Sequence, residues 1–324
     1  MLDRVAVNGV ELEYELRGTG EPVVLIHWGV GAVWAGPLLD QPALAGRYRL
    51  LSYHRAGFAG SSPPAGPATM KAHAAHCHLL MRELGITRAH IVGHSSSVSV
   101  ALQLALDAPQ AVHTLTLMEA ARPAPPTDTQ QRFGKDVAQA AVQRYRAGDP
   151  AGAVDTFFRG VFGPGYRPAL DHGMPGALDQ AVADAGAFFT QEMPALQQWP
   201  FTQDDARRIQ QPTLAVRGTA SPAMFAERQQ LLLQWLPNAE PLYLPGLIHL
   251  LHGQNPTAVA EALAGFFTRH PLPDDPSRPP RRKRQNNLLC AAPEVTSQGP
   301  RSVHNGGDAR ISVGPVPVAE RDPP

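Results

Sequence analysis

The sequence predicts an α/β protein: a mostly parallel, doubly wound sheet with an inserted helical region and a disordered C-terminal tail. Three observations predict it. Short continuous apolar runs such as "PVVLIH" and "AHIVGH" have the character of parallel strands covered on both faces. They alternate with stretches of helical length, the pattern of right-handed parallel crossovers. The alternation then lapses at "ARPAPPTDTQ" and resumes only at "QPTLAVRG", which marks an insertion.

Each element has its own signal. "VELEYEL" alternates with period two and predicts an edge or hairpin strand, and "PVVLIH" the first parallel strand. "KAHAAHCHLLMRELG" predicts a helix closed by Gly85, and "AHIVGH" a buried strand. "SVSVALQLALDAP" predicts a helix stopped by Pro109, followed at once by the strand "VHTLTLME". Within the insertion, "DVAQAAVQRYRAG" and "AGAVDTFFRGVFG" are amphipathic at helical spacing, with no strand-like run between them. A strand "PTLAVRG", a helix "MFAERQQLLLQWLP", a strand "EPLYLPG" and a last helix "PTAVAEALAGFFTRH" complete the pattern. The expected organisation is a core in two parts, residues 1–122 and 206–270, around a helical insertion at 123–205. Residues 271–324 are rich in proline, arginine and glycine and lack the apolar content to offset chain entropy, so a disordered tail is expected. Its run Arg281, Arg282, Lys283, Arg284 is expected to be solvated linker rather than a targeting or anion-binding patch.

Bulk properties exclude several classes of function. At 324 residues and 43% hydrophobic the chain can bury a large core, and 28 basic side chains balance 28 acidic ones. No global charge attracts nucleic acid or an anionic membrane, so a small molecule is the expected partner, with a homodimer left open. The N-terminus lacks a basic region ahead of an apolar one, and no run approaches the roughly 20 apolar residues of a membrane span. The expected location is cytoplasmic, with Cys77 and Cys290 reduced. His73 and Cys77 share the i, i+4 spacing of a metal pair, yet no third ligand cluster accompanies them. Neither metal nor cofactor is expected, and His73, His76, Cys77 and His78 read as an incidental polar helix face. Phe157, Phe158, Phe162, Phe188 and Phe189 recur at helical spacing, as either core of the insertion or a ligand wall.

The chemistry concentrates in "GHSSS", residues 93–97. A G-x-S-x-G turn between strand and helix lifts its serine hydroxyl above the sheet and presents a helix N-terminus to a developing oxyanion. Ser95 occupies the nucleophile position, Ser96 would donate its backbone N–H to the oxyanion, and Ser97 replaces the second glycine, which demands a packing adjustment. The competing reading is a cluster of N-capping serines. A serine needs a base, and "LPGLIHLLHGQNP" offers His249 and His252. His249 follows the strand closely, whereas His252, a helical turn further on, reads as a surface or capping residue.

With these segments in this order, the chain over residues 5–270 resembles the α/β-hydrolase fold superfamily: "VVLIHWGVG" resembles its oxyanion segment, "YHRAGFAGSSPP" its R-x-G-x-G-x-S turn, "IVGHSSS" its nucleophile elbow and "LPGLIHLLHGQNP" its histidine loop. The resemblance implies that the insertion is a cap that roofs the site and selects the substrate. It also implies further oxyanion donors in "HWGVG", at Gly29 or Trp28, and a hydrogen-bonding role for His27. The family's commonest acid position is Ser221 here, which carries no charge. Other members place the acid one strand earlier, where this chain has Glu119, and the order Ser95, Glu119, His249 suits the fold. The bland alternative is that Glu119 pairs with Arg122. A serine rather than an aspartate nucleophile implies acyl transfer on an ester or related carbonyl. The contrasting expectation is a catalytically silent, ligand-binding member of the fold.

Overall fold

The computed structural model describes residues 2–64, 66–121 and 127–273. Nearly all of the expected tail, with its basic run and Cys290, lies outside the described residues, as does Arg122.

Eight strands form one sheet: β1 (Asp3–Val7), β2 (Val10–Arg17), β3 (Glu21–Ile26), β4 (Tyr48–Tyr53), β5 (Ala89–His94), β6 (Val112–Met118), β7 (Thr213–Gly218) and β8 (Ala239–Leu244). Their order is β1-β2-β4-β3-β5-β6-β7-β8, with β1, β2 and β4 paired antiparallel and every other neighbouring pair parallel. The period-two segment is β2, hairpinned to the edge strand β1 through Asn8-Gly9, both at positive φ.

Strands buried on both faces explain the apolar runs. Along β3, Val23 and Leu25 face one core cluster while Val24 and Ile26 face the other. The second cluster is covered by the helices Met70–Glu83 and Ser97–Asp107, the first by Pro256–Arg269 and much of the insertion. Helix Met70–Glu83 starts where Thr69 accepts the Ala72 N–H, and Pro256–Arg269 where Asn255 accepts that of Ala258. The described residues between β6 and β7 form only helices, from Asp128 to Arg208. The chain leaves β3 for β4 on one side and returns to β5 on the other. The crevice beyond the C-terminal ends of β3 and β5 is therefore the topological switch point where such sheets bind ligands.

The histidine-bearing face of helix Met70–Glu83 departs from expectation. His73, His76 and Cys77 are buried against the sheet rather than forming an incidental polar face. Burial pushes the Cys77 thiol up to about 12 and holds His73 neutral. Among the described residues no group of His, Cys, Asp or Glu is arranged to hold a metal ion, and no helix is long and apolar enough to cross a membrane.

Candidate active site

At the end of β5 the backbone turns sharply, and Ser95 sits at φ +54°. The turn is held from two sides: the Ser95 N–H donates to the Met118 carbonyl at 2.9 Å, and the Ser95 carbonyl accepts from Ala121 N–H at 3.1 Å. Gly93 is required there, because a Cβ would lie 2.8 Å from the Ser97 carbonyl oxygen. Ser97 is more than a tolerated replacement for glycine. Its buried hydroxyl accepts the His94 N–H at 2.8 Å and faces the carbonyls of Ile26 (2.7 Å) and His94 (2.9 Å), clamping β3 to the elbow. Ser96, the residue before the helix, makes no side-chain cap bond, so capping does not account for this serine.

Ser95 opens onto a cavity of about 410 Å³, a volume suited to a small organic molecule. Core and insertion both line it: Trp28, Gly29 and Phe225 from the first, Phe133, Phe157 and Phe188 from the second. The five phenylalanines therefore divide. Phe157 and Phe188 face the cavity, whereas Phe158 and Phe162 pack against Trp28 and Tyr166, and Phe189 against Tyr145.

One strand away, Glu119 directly follows β6, also at positive φ (+49°). Its Oε1 accepts the Gly218 N–H and the Ser221 hydroxyl, each at 2.6 Å, and its Oε2 faces His249 Nδ1 at 3.3 Å. Ser221, where the resemblance expects an acid, thus serves the acid on the neighbouring strand. Glu119 and His249 are both 1% exposed, so this contact is shielded from solvent. The carboxylate fixes the Nδ1–H tautomer and leaves Nε2 as the acceptor. Among the described residues Nε2 has no hydrogen-bond partner. Burial lowers the affinity of His249 for a proton, and the bond to Glu119 and its charge act the other way; the result lies below the ordinary histidine value. Phe225 stacks on the ring at 4.1 Å.

His252 is not the surface or capping residue the sequence suggests. It is buried between Trp34 and His94, and burial pushes it down to about 3. His27 Nε2 accepts the Arg55 N–H at 2.8 Å, which requires a neutral ring, and burial indeed holds its pKa well down. Of the expected oxyanion donors, Trp28, Gly29 and Ser96 all line the cavity beside Ser95. The Gly29 N–H, however, donates to the Ser96 hydroxyl at 2.8 Å.

Two buried residues escaped the sequence reading. Glu192, in the insertion, accepts from Ser96 Oγ at 2.6 Å and from Arg55 Nη2 at 2.7 Å. The available signals were a lone acid in the mainly apolar stretch "FFTQEMPAL" and an arginine in the turn "YHRAGFAG".

A dihydrolipoyllysine-residue acetyltransferase component of the acetoin cleaving system of Cupriavidus necator is 36% identical over 112 residues, 35% of this chain and 30% of that protein. A proposed carbamate hydrolase, RutD, of Azorhizobium caulinodans is 32% identical over 109 residues, 33% of this chain and 40% of that protein. The chain spans less than half the length of these curated relatives. Among solved structures, Est816, described as an N-acyl homoserine lactone degrading enzyme, is 25% identical with a TM-score of 0.65, covering 82% of this chain and all of that one. A bromoperoxidase from Bacillus anthracis, 21% identical with a TM-score of 0.68 over 83% of this chain and all of its own, shares the fold. The family described as alpha/beta hydrolase fold matches residues 21–256, and the chain belongs to that family.

Proposed function

We propose that the protein is a serine hydrolase that cleaves a small ester or related carbonyl compound through an acyl-enzyme on Ser95. The observation that carries this reading is the placement of Ser95, at positive φ in the cavity lining, one strand from the buried Glu119–His249 contact. Ser95 Oγ attacks the carbonyl carbon and its proton passes to His249 Nε2, while Glu119 holds the ring and stabilises the imidazolium. The oxyanion is received by the backbone N–H groups of Ser96 and of the Trp28-Gly29 loop, each donor worth about 3 kcal/mol in the transition state. Collapse expels the leaving alkoxide, which takes the proton from His249. Water then attacks the acyl-enzyme by the same steps, and the serine is regenerated. The helical insertion acts as the cap, and its aromatic wall selects substrates with an apolar acyl or leaving group.

Hydrolysis of a short-chain p-nitrophenyl ester, together with fluorophosphonate labelling, tests this. Ser95→Ala is expected to lower kcat at least ~10³-fold and to abolish labelling. Wild-type turnover equal to that of Ser95→Ala would sink the reading. One observation favours a second reading, a ligand-binding member without hydrolytic activity: the Gly29 amide is bonded to Ser96 within the protein. In that case the wild type is neither labelled nor active, yet still binds small apolar molecules.

A further inference from the structure

Three buried side chains form a hydrogen-bonded line from the insertion to the expected oxyanion loop. Arg55 Nη2 donates to Glu192 Oε2 at 2.7 Å, the Ser96 hydroxyl donates to Glu192 Oε1 at 2.6 Å, and the Gly29 N–H donates to Ser96 Oγ at 2.8 Å. All three side chains are at most 4% exposed. A hydroxyl has one proton to give. Because Ser96 gives it to the carboxylate, the hydroxyl oxygen is left to accept the Gly29 N–H. The same π-helical turn, Phe188–Glu192, also reaches Gly29 directly, since a Cβ on Gly29 would lie 2.8 Å from the Phe188 ring. Arg55 keeps the carboxylate's charge balanced close to where a second negative charge would develop.

We propose that Glu192 is a positioning residue of the oxyanion site, acting through the Ser96 hydroxyl to hold the Gly29 amide aimed beside Ser95. The inference rests on the serine-hydrolase reading above. In the resting enzyme the amide is held by a neutral acceptor. A developing oxyanion is a stronger acceptor, so the amide is shared with substrate only as negative charge appears there. No proton changes owner: the carboxylate orients, and the amide is the group that meets the substrate.

The test compares Ser96→Ala, Glu192→Gln and the double variant by p-nitrophenyl ester kinetics and by hydrogen exchange at the Gly29 amide. Arg55→Met/Glu192→Gln serves as a charge-free companion should Glu192→Gln alone not fold. The expected result is a fall in kcat of about 10- to 100-fold with KM within about threefold, no further loss in the double variant, and faster Gly29 exchange in each. A rise in kcat on Ser96→Ala would mean that the bond masks the amide, and would overturn the proposal. So would multiplying losses in the double variant, a loss confined to KM, or unchanged Gly29 exchange. Turnover and labelling of the wild type, set beside Gly29 exchange in the variants, separate the two readings. If the wild type neither turns over ester nor takes the fluorophosphonate label, the serine-hydrolase reading fails, and the positioning role, which requires it, fails with it. If the wild type is active and Gly29 exchange is unchanged in the variants, only the positioning role fails.

Discussion

The adjacent strands β5 and β6 end alike and are used differently. Each delivers a non-glycine residue at positive φ to the same edge of the sheet, Ser95 at +54° and Glu119 at +49°. The two turns also brace each other through the Ser95 N–H to Met118 carbonyl bond and the Ala121 N–H to Ser95 carbonyl bond. Beyond that they diverge. Ser95 faces an open cavity, whereas both carboxylate oxygens of Glu119 are engaged, with Gly218, Ser221 and His249 all directed at them. Left-handed backbone is unfavourable for both residues, by about 1–3 kcal/mol each, and it positions each side chain over the strand ends. At one turn the strained backbone exposes a hydroxyl, and at the other it buries a charge.

Removing the charge should break this contrast most severely. Glu119→Gln keeps the shape but loses the group that orients His249, and is expected to lower kcat by ~10³–10⁴-fold, read by ester hydrolysis. Retention of full rate would show that Glu119 is structural. Acid is the next lever. His249 must be neutral to accept a proton, and its folded pKa is lowered, so kcat/KM should hold to below pH 6.5 and fall only at lower pH. Stability follows the same sign. His27, His73, His94 and His252 are all held neutral by burial, so the unfolded chain binds more protons at low pH. Their contribution is complete above about pH 6.5 and is lost as pH falls from there toward the folded values, about 3 for His252. Each costs on the order of 1 kcal/mol per pH unit, read by urea unfolding at several pH values. A stability curve flat between pH 7 and 5 would contradict it.

Smaller changes sharpen the contrast. Ser221→Ala deletes one of the donors to Glu119 and should lower kcat about tenfold while leaving KM alone, the kinetic equivalent of about 1.4 kcal/mol. An unaltered kcat would mean that Gly218 alone holds the carboxylate. The smallest expected effect is on stability: Ser95→Gly relieves the positive φ and should raise unfolding stability by about 1 kcal/mol while activity is lost, visible as a rise in Tm. A fall in Tm would indicate that the elbow is relaxed with serine in place.

Much of this was legible in the sequence. The strands could be read because burial on both faces leaves continuous apolar runs, and Ser95 because its turn has a local signature, Gly93 through Ser97. Glu119 was legible only indirectly, through the uncharged Ser221 that now proves to be its hydrogen-bond donor. What stayed hidden is pairing at long range. Arg55 and Glu192 lie 137 residues apart, and nothing in either neighbourhood predicts that folding buries them together. The same limit applies to His252, whose polar character suggested the surface until Trp34 and His94 enclosed it.

The Arg55–Glu192 pair also bears on how freely this protein could exchange its insertion for another. An insertion transplanted from a relative would bring its own side chains to the cavity wall. Without an acid at the position of Glu192 it would leave a buried guanidinium uncompensated in the core, which costs about 3–5 kcal/mol. The portable unit is therefore larger than the helices: it includes the turn that carries Arg55, and a successful chimera would have to exchange both together.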